Sequence, residues 1–454
     1  MENTPAWHER FNVWMAPFLD LLNHKVRAEM AIIYSLGLLG PGDRKSIQPM
    51  AERFAKGEYQ RVHNFISAST WATEPFEEMH IKIVNDMVGG TDSHLIIDDT
   101  ALVKKGKLSV GVAHQYCGQL GRKANCQCLV TFTLARDEIP VPIMMKLYLP
   151  DKWCTDAARR KLAKVPESYE FKEKWRIGLD GIESLIAKGV LFGDVLVDAG
   201  YGVCSEFRQG LTERGLTWAV GVLSTQGVYP LSVKLDMPAK SKRAGRPFKH
   251  PKPDQPNIAA KDAIAGLGEG AFQYVSWRNG TRGPLVQEFA AVRVRAADGE
   301  RVSYGVHLPG QEVWLVCERR SDGEVKYYFT NHPADASLMT IVRAIKARWS
   351  CEQGHQQMKE ELGLDHFECR SWLALSHHVI LTMIAFAFLQ TWRIEALRAN
   401  GIPESMSTPI EKPSGPTIEL PESNVAADSQ NLPNVHSIAS RAAPAKESTS
   451  KKAQ

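Results

Sequence analysis

The sequence predicts an α/β fold: a mixed sheet flanked by helices, with a mostly β insertion, a helical N-terminal module and a disordered C-terminal tail. Three observations carry that prediction. Between Ser93 and Val222, apolar strand-like runs open with a three-strand meander and then alternate with helical segments, the pattern of a sheet covered by helices. From about 223 to 335 the rhythm stops and short β-like runs replace it. Beyond Gly401, Pro, Ser, Thr, Ala, Asn and Glu dominate and aromatics vanish, so too little apolar surface is available to offset the entropy of ordering.

The elements follow in chain order. Residues 1–90 form the helical module. Phe11, Trp14, Met15, Phe18, Leu21 and Leu22 recur at helical spacing, Ala28 to Leu39 continues the pattern, and Gly40-Pro41-Gly42-Asp43 stops it. Ile47 to Lys56 and Tyr59 to Ser67 follow, with Arg44, Lys45, Gln60, Arg61, His63 and Asn64 as polar and basic side chains. Such a module suits DNA contact, and equally a helical cap on the next domain.

Residues 91–222 read as the first part of an α/β domain with a mixed central sheet. Leu95-Ile-Ile-Asp98-Asp99 is an apolar strand ending in two carboxylates, and Ser109 to Val112, Gln127 to Leu134 and Ile143 to Leu149 are further strands. Lys161 to Lys188 is expected as helix, Val190 to Asp198 as strand, Glu206 to Gly215 as helix and Thr217 to Val222 as strand. Residues 223–336 hold the insertion, with strands at Ala271–Arg278, Phe289–Arg295, Val313–Glu318 and Lys326–Asn331 after a Pro- and Lys-rich loop. Residues 337–400 return to helix and complete the domain, and 401–454 are the tail.

Composition narrows the function classes. The chain has 454 residues, room for two or three domains, and its 44% hydrophobic and 23% charged content is that of a globular protein. A formal net charge of +4 permits nucleic-acid binding without requiring it. Of eight cysteines only Cys126 and Cys128 are close, and one intervening residue is too few for a typical zinc knuckle. Without a signal-peptide pattern, reduced thiols and a cytoplasmic location are expected. The apolar run Val379 to Leu389 is shorter than the ~20 residues of a bilayer span and reads as a core helix.

Three acidic positions share a context. Asp99, or its neighbour Asp98, and Asp198 each end an apolar strand, and Glu352 lies on a helix far downstream. On that helix Arg348, Glu352, His355 or Gln356, and Lys359 step along one face. One acid between two cations suits a carboxylate that holds a metal while its neighbours hold phosphates. A solvated ion-paired face is the plain alternative, as a turn or cap is for each Asp. Carboxylate oxygens are the usual ligands of Mg²⁺, and two such ions ~3.5–4 Å apart can serve both the attacking and leaving oxygens of a phosphodiester.

Taken together, these blocks resemble a known family. Asp98-Asp99-Thr100, Lys104-Lys105-Gly106, Ser109-Val-Gly-Val112 and Gln115-Tyr-Cys-Gly118 look like the first block of bacterial insertion-sequence DDE transposases. Val197-Asp198-Ala-Gly-Tyr-Gly202 looks like their second block, and Arg348-x3-Glu352-x6-Lys359 is similar to their third, the Tyr-Arg-Glu-Lys signature. The resemblance runs from about Phe11 to Trp392. It implies an RNase H-like core with a β-rich insertion, and a triad of Asp99, Asp198 and Glu352 binding two Mg²⁺ ions, with Mn²⁺ as substitute. Asp99 is preferred to Asp98 because it directly precedes Thr100. Arg348 and Lys359 would grip phosphates, with Lys104 and Lys105 reaching the backbone. Where the family has Tyr three residues before the Arg, this chain has Ile345.

The implied partners are double-stranded DNA, at the element's ends and at the target, and a second copy of the chain in a homodimer. Ala244-Gly-Arg246-Pro247 with Lys242, Arg243 and Lys249 resembles an AT-hook, whose Arg246 enters a narrow minor groove, or is a solvated basic loop. In similar transposases a Trp of the insertion stacks on a flipped base. Trp277 and Trp314 are the candidates here, and sheet packing is their other role. The expected function is Mg²⁺-dependent cleavage and strand transfer in cut-and-paste transposition. A nuclease without strand transfer and an inactive DNA-binding descendant are the alternatives. The sequence has no Gly-x-x-x-x-Gly-Lys-Ser/Thr loop for a nucleoside triphosphate.

Overall fold

The computed structural model describes residues 7–42, 44–237, 250–280, 283–303 and 306–399. The AT-hook-like segment around Arg246 and the tail beyond Ala399 lie outside them. Five helices open the chain: α1 (Trp7–Asp20), α2 (Lys25–Leu39), α3 (Ile47–Phe54), α4 (Tyr59–Ser67) and α5 (Glu74–Val88). Phe11, Trp14, Met15 and Phe18 are buried along one stripe of α1, as their spacing requires.

The sheet is built around β1 (His94–Val103). β2 (Ala113–Cys117) and β4 (Ile139–Tyr148) pair antiparallel with opposite halves of the long β3 (Arg122–Arg136), which pairs antiparallel with β1. On the other side of β1 lie β5 (Asp194–Val197), parallel to it, and β6 (Thr217–Val222), parallel to β5.

Helices supply the crossovers. α6 (Asp151–Cys154), α7 (Ala157–Leu162) and α8 (Lys174–Ala187) lie between β4 and β5, and α9 (Ala199–Gly202) and α10 (Ser205–Glu213) between β5 and β6. The order β4-β3-β1-β5-β6, a meander followed by two parallel strands, is the mixed sheet expected of an RNase H-like core.

The insertion extends this sheet rather than standing apart from it. β7 (Gly227–Pro230) is followed by the short β8 (Leu235–Asp236) and β9 (Lys252–Pro253), which pair with each other, then β10 (Ile258–Ala259) and α11 (Ala260–Ala265). β11 (Gln273–Gly280) and the long β12 (Gly283–Ala296) form a hairpin, and β13 (Arg301–Ser303) pairs with β14 (Val306–His307). β15 (Glu312–Arg319) and β16 (Val325–Thr330) complete it, and β16 docks antiparallel on β6, giving a 12-stranded sheet. α12 (Leu338–Ala347), α13 (Trp349–Glu360) and α14 (Trp372–Ala399) then close the chain.

Strand alternation divides the core in two. Ile96, Leu196 and Ala219 pack with Ile341, Val342, Ile345 and Cys351 of α12 and α13. Leu95, Ile97, Val195, Val197 and Val220 face the other way, among Leu179, Ile182, Phe207 and Leu211 of α8 and α10. α14 has 28 residues and is the one helix among the described residues long and apolar enough to cross a membrane, but 78% of its most apolar stretch is buried. Trp14 donates to the Ile384 carbonyl at 3.2 Å and the Tyr34 hydroxyl meets His378 Nδ1 at 2.8 Å, so the N-terminal helices cover α14.

Three local expectations change. Ser109 to Val112 is a turn, because Gly111 takes φ +71° where a side chain is strained, and the strand begins at Ala113. The expected helix from Lys161 to Lys188 is broken by Lys164 at φ +54° and by Pro166, leaving α7 and α8 separate. β1 does not end at Asp99 but continues paired with β3 to Val103.

Candidate active site

The site is set by where β5 stops. Parallel pairing puts Ile96 opposite Leu196 and Ile97 opposite Val197, so the next residues along, Asp98 and Asp198, are neighbours across adjacent strands. Side chains alternate along a strand, and Ile96 and Leu196 face α12 and α13, so Asp98 projects toward α13. Its Oδ1 accepts the Asp99 amide at 2.7 Å and its Oδ2 accepts from the Arg348 guanidinium at 2.8 Å. Burial, reinforced by Asp198 and Glu352, pushes the Asp98 carboxyl up to about 7 against the pull of Arg348.

Asp198 caps α9, its Oδ1 accepting the amides of Gly200 at 2.9 Å and Tyr201 at 3.3 Å. The cap role weighed from the sequence is therefore real, and it also aims the carboxylate. α9 lies so close to β6 that a Cβ on Gly202 would stand 2.0 Å from the Gly221 carbonyl oxygen, which accounts for the glycine at that place. Burial raises the Asp198 pKa, with Arg348 opposing and Asp99 adding to the rise.

Arg348 joins α12 to α13, with helical φ −54° and ψ −31°. Its guanidinium spans Asp98 and Glu352, one turn on. Glu352 is half exposed, with 49% of its side-chain surface accessible. Behind it, buried His355 meets the Thr131 hydroxyl at 2.9 Å, and that hydroxyl donates to the Asp98 carbonyl at 2.9 Å. Burial lowers the His355 pKa to about 3, so this histidine is a neutral packing and hydrogen-bonding group.

Asp99 points to the opposite face. Its Oδ2 accepts from Lys174 Nζ at 2.5 Å and its Oδ1 from the Tyr201 hydroxyl at 2.6 Å. Lys174 escaped sequence reading and Tyr201 was read only as part of the second block, because α8 and α9 reach Asp99 only in the folded chain. The expected grouping of residues 99, 198 and 352 thus stands geometrically as 98, 198 and 352 around Arg348.

The other anticipated residues sort by exposure. Lys104 Nζ donates to the carbonyls of Asp365 at 3.3 Å and Phe367 at 2.6 Å, and burial lowers its pKa to about 8. Lys105 is exposed. Lys359 lies on α13 about 10 Å along the axis from Glu352, and burial lowers its pKa. Trp277 is half-buried, with Lys346 Nζ 4.5 Å from its ring and Phe289 edge-on at 6.2 Å. Trp314 donates to the Pro333 carbonyl at 3.0 Å. Both are engaged in packing. The exposed indole nearest the carboxylates in sequence is Trp349, which directly follows Arg348 and carries the Arg278 guanidinium 4.4 Å from its ring.

Among the described residues no three His, Cys, Asp or Glu side chains stand close enough to hold a metal ion as they are. The donor chemistry nevertheless fits Mg²⁺ or Mn²⁺. Three carboxylates supply hard oxygen ligands around one cationic group, and their mutual repulsion at Asp98 is what a divalent ion would relieve. Asp98, Asp198 and Glu352 are the residues that would hold it.

Comparison with known proteins bears on the family of the chain. The profile of the DDE superfamily endonucleases matches residues 17–284, more than half of the chain, and the chain belongs to that family. The matched span includes Asp98 and Asp198 and ends before Glu352, whose placement rests on the geometry above. A protein of Microchaete diplosiphon described as the probable transposase for insertion sequence element IS701 is 26% identical over 194 residues, 42% of this chain and 48% of that one. The alignment thus spans about half the length of that curated relative. A cryo-EM structure of the piggyBac transposase synaptic complex with hairpin DNA is similar over 84% of this chain and 68% of its own, at a TM-score of 0.40 and 9% identity. A likeness that slight carries no argument.

Proposed function

We propose that this chain is the transposase of a bacterial insertion sequence, acting in the cytoplasm at the nucleoid. It binds the element's terminal repeats as a homodimer and cleaves and joins DNA at the site formed by Asp98, Asp198 and Glu352. The observation that carries the reading is the β1–β5 register, which puts Asp98 beside Asp198 under a helix presenting Arg348 and Glu352. Membership of the DDE endonuclease superfamily and the insertion-sequence relative support the same reaction class.

The first carboxylate in this reading is Asp98, because Asp99 is turned away and already holds Lys174 and Tyr201. Two Mg²⁺ ions, when bound, would supply charge neutralisation and activation of the attacking oxygen in an in-line displacement. Asp98, Asp198 and Glu352 fix the positions from which that help comes. Arg348 trades its carboxylate partners for a phosphate oxygen, for which its planar fork is suited. Lys359 and exposed Lys105 extend the cationic face along the duplex.

The test is end cleavage by the full-length protein on a duplex carrying the terminal repeat found beside the gene. Glu352→Gln and Asp98→Asn should abolish Mg²⁺-dependent nicking while duplex binding persists. Unchanged nicking in either variant refutes the site. Joined products with a target plasmid identify a transposase, whereas nicking without joining reduces the reading to a nuclease.

A further inference from the structure

We propose that Asp99, Tyr201 and Lys174 form a positioning network that sets Asp98 and Asp198 against each other. The inference rests on the reading of those two carboxylates as cation ligands. Asp99 joins them through one unbroken run of hydrogen bonds. Its amide donates to Asp98 Oδ1 at 2.7 Å. Its own Oδ1 accepts the Tyr201 hydroxyl at 2.6 Å, and the Tyr201 amide donates to Asp198 Oδ1 at 3.3 Å.

Each link does something the rest of the fold leaves undone. α9 is a single turn of four residues, too short to hold its own direction. The close approach of Gly202 to Gly221 fixes how far α9 lies from β6. It does not fix how the turn rotates about that contact. The Tyr201 ring, 3% exposed and packed on Phe207 with centroids 5.8 Å apart, is the lever that does so, and Asp99 is its stop.

Lys174, the first residue of α8, completes the arrangement from the far side at 2.5 Å. Its ammonium donates to Asp99 Oδ2 while the Tyr201 hydroxyl donates to Oδ1, so the carboxylate is held from two sides. Both Asp99 oxygens are engaged by Tyr201 and Lys174, so the residue acts through its neighbours. It is a positioning residue, and two consecutive aspartates serve two faces of one strand.

Mn²⁺ serves as the probe, titrated into the full-length protein without DNA and followed by calorimetry or by the loss of its free electron-spin-resonance signal. Tyr201→Phe removes one hydroxyl and should weaken Mn²⁺ binding about tenfold, or ~1.4 kcal/mol. The Mn²⁺ concentration for half-maximal nicking should rise in step, with KM for the duplex unchanged and the urea midpoint lowered only by the one lost hydrogen bond. Asp99→Asn should do the same, and Lys174→Arg, which keeps the cation, should stay close to wild type. A cluster that merely stabilises the fold would move the urea midpoint and leave the Mn²⁺ titration alone. The network is refuted if Tyr201→Phe and Asp99→Asn bind Mn²⁺ as wild type does. It is also refuted if Asp99→Asn eliminates binding while Asp98→Asn retains it, since Asp99 would then be a ligand. If wild type and Asp98→Asn titrate identically, the underlying reading of the site fails instead.

Discussion

Replacing Asp98 by asparagine should make the protein more resistant to unfolding at alkaline pH, relative to wild type, than at acid pH. In the fold, burial beside Asp198 and Glu352 holds this carboxyl at about 7, against an ordinary 3.8. The folded state therefore binds more protons than the unfolded chain between those two values, and wild-type stability falls as pH rises from about 4 through about 7. The gap of about 7 less 3.8 amounts to ~4 kcal/mol. Asparagine has the same shape, keeps an acceptor for the Asp99 amide and cannot ionise, so its stability lacks that decline. Urea unfolding of both proteins in a chelating buffer at intervals from pH 4 to pH 8.5 gives the two curves. Loss of the Arg348 contact offsets the variant by a constant, and only the slope of the difference bears on the argument. A difference that is flat, or that shrinks with rising pH, would show that Asp98 titrates like an exposed carboxylate and that the enclosed acidic cluster is wrong.

Other substitutions probe the frame around the site. Arg208, 1% exposed, pairs with Asp298 at 2.5 Å beneath α9 and α10. Arg208→Ala should cost ~3–5 kcal/mol by stranding a buried carboxylate, whereas the double change Arg208→Met with Asp298→Leu should recover most of it in the same urea experiment. Gly202→Ala forces a Cβ to within 2.0 Å of the Gly221 oxygen, so α9 must lift from β6. The expected result is a loss of ~1–3 kcal/mol together with weakened Mn²⁺ binding. Lys104→Met should lower stability by ~1–3 kcal/mol through the freed carbonyls of Asp365 and Phe367. Lys105→Met should leave stability alone and reduce the salt dependence of DNA binding by about one counterion.

Much of the frame was legible in the residues because it depends on local pattern. The period of Phe11, Trp14, Met15 and Phe18 marks α1, and Thr217–Val222 reads as a strand from end to end. β11, β15 and β16 lie close to where β-branched and aromatic runs put them, whereas β12 begins at Gly283, well before the expected Phe289. The misplaced elements were decided by single backbone positions, such as Lys164 in the left-handed region and the turn at Gly111. No residue pattern reveals that the insertion docks on β6, because that pairing joins segments about a hundred residues apart.

The sequence by itself determined the chemistry available to this protein: apolar strands carrying acids, an Arg-Glu-Lys stripe on one helix, and a glycine-bracketed turn after Asp198. Which aspartate faces that helix was decided only in the tertiary structure. Asp98 and Asp99 are equivalent as letters, and alternation along β1 sends them to opposite sides of the sheet. The side that matters is fixed by the register with β5, a pairing across about a hundred residues, and by the helix that packs Arg348 and Glu352 against Asp98 rather than Asp99. Local periodicity says that neighbouring side chains diverge, but only the packed layers say which of them meets a partner.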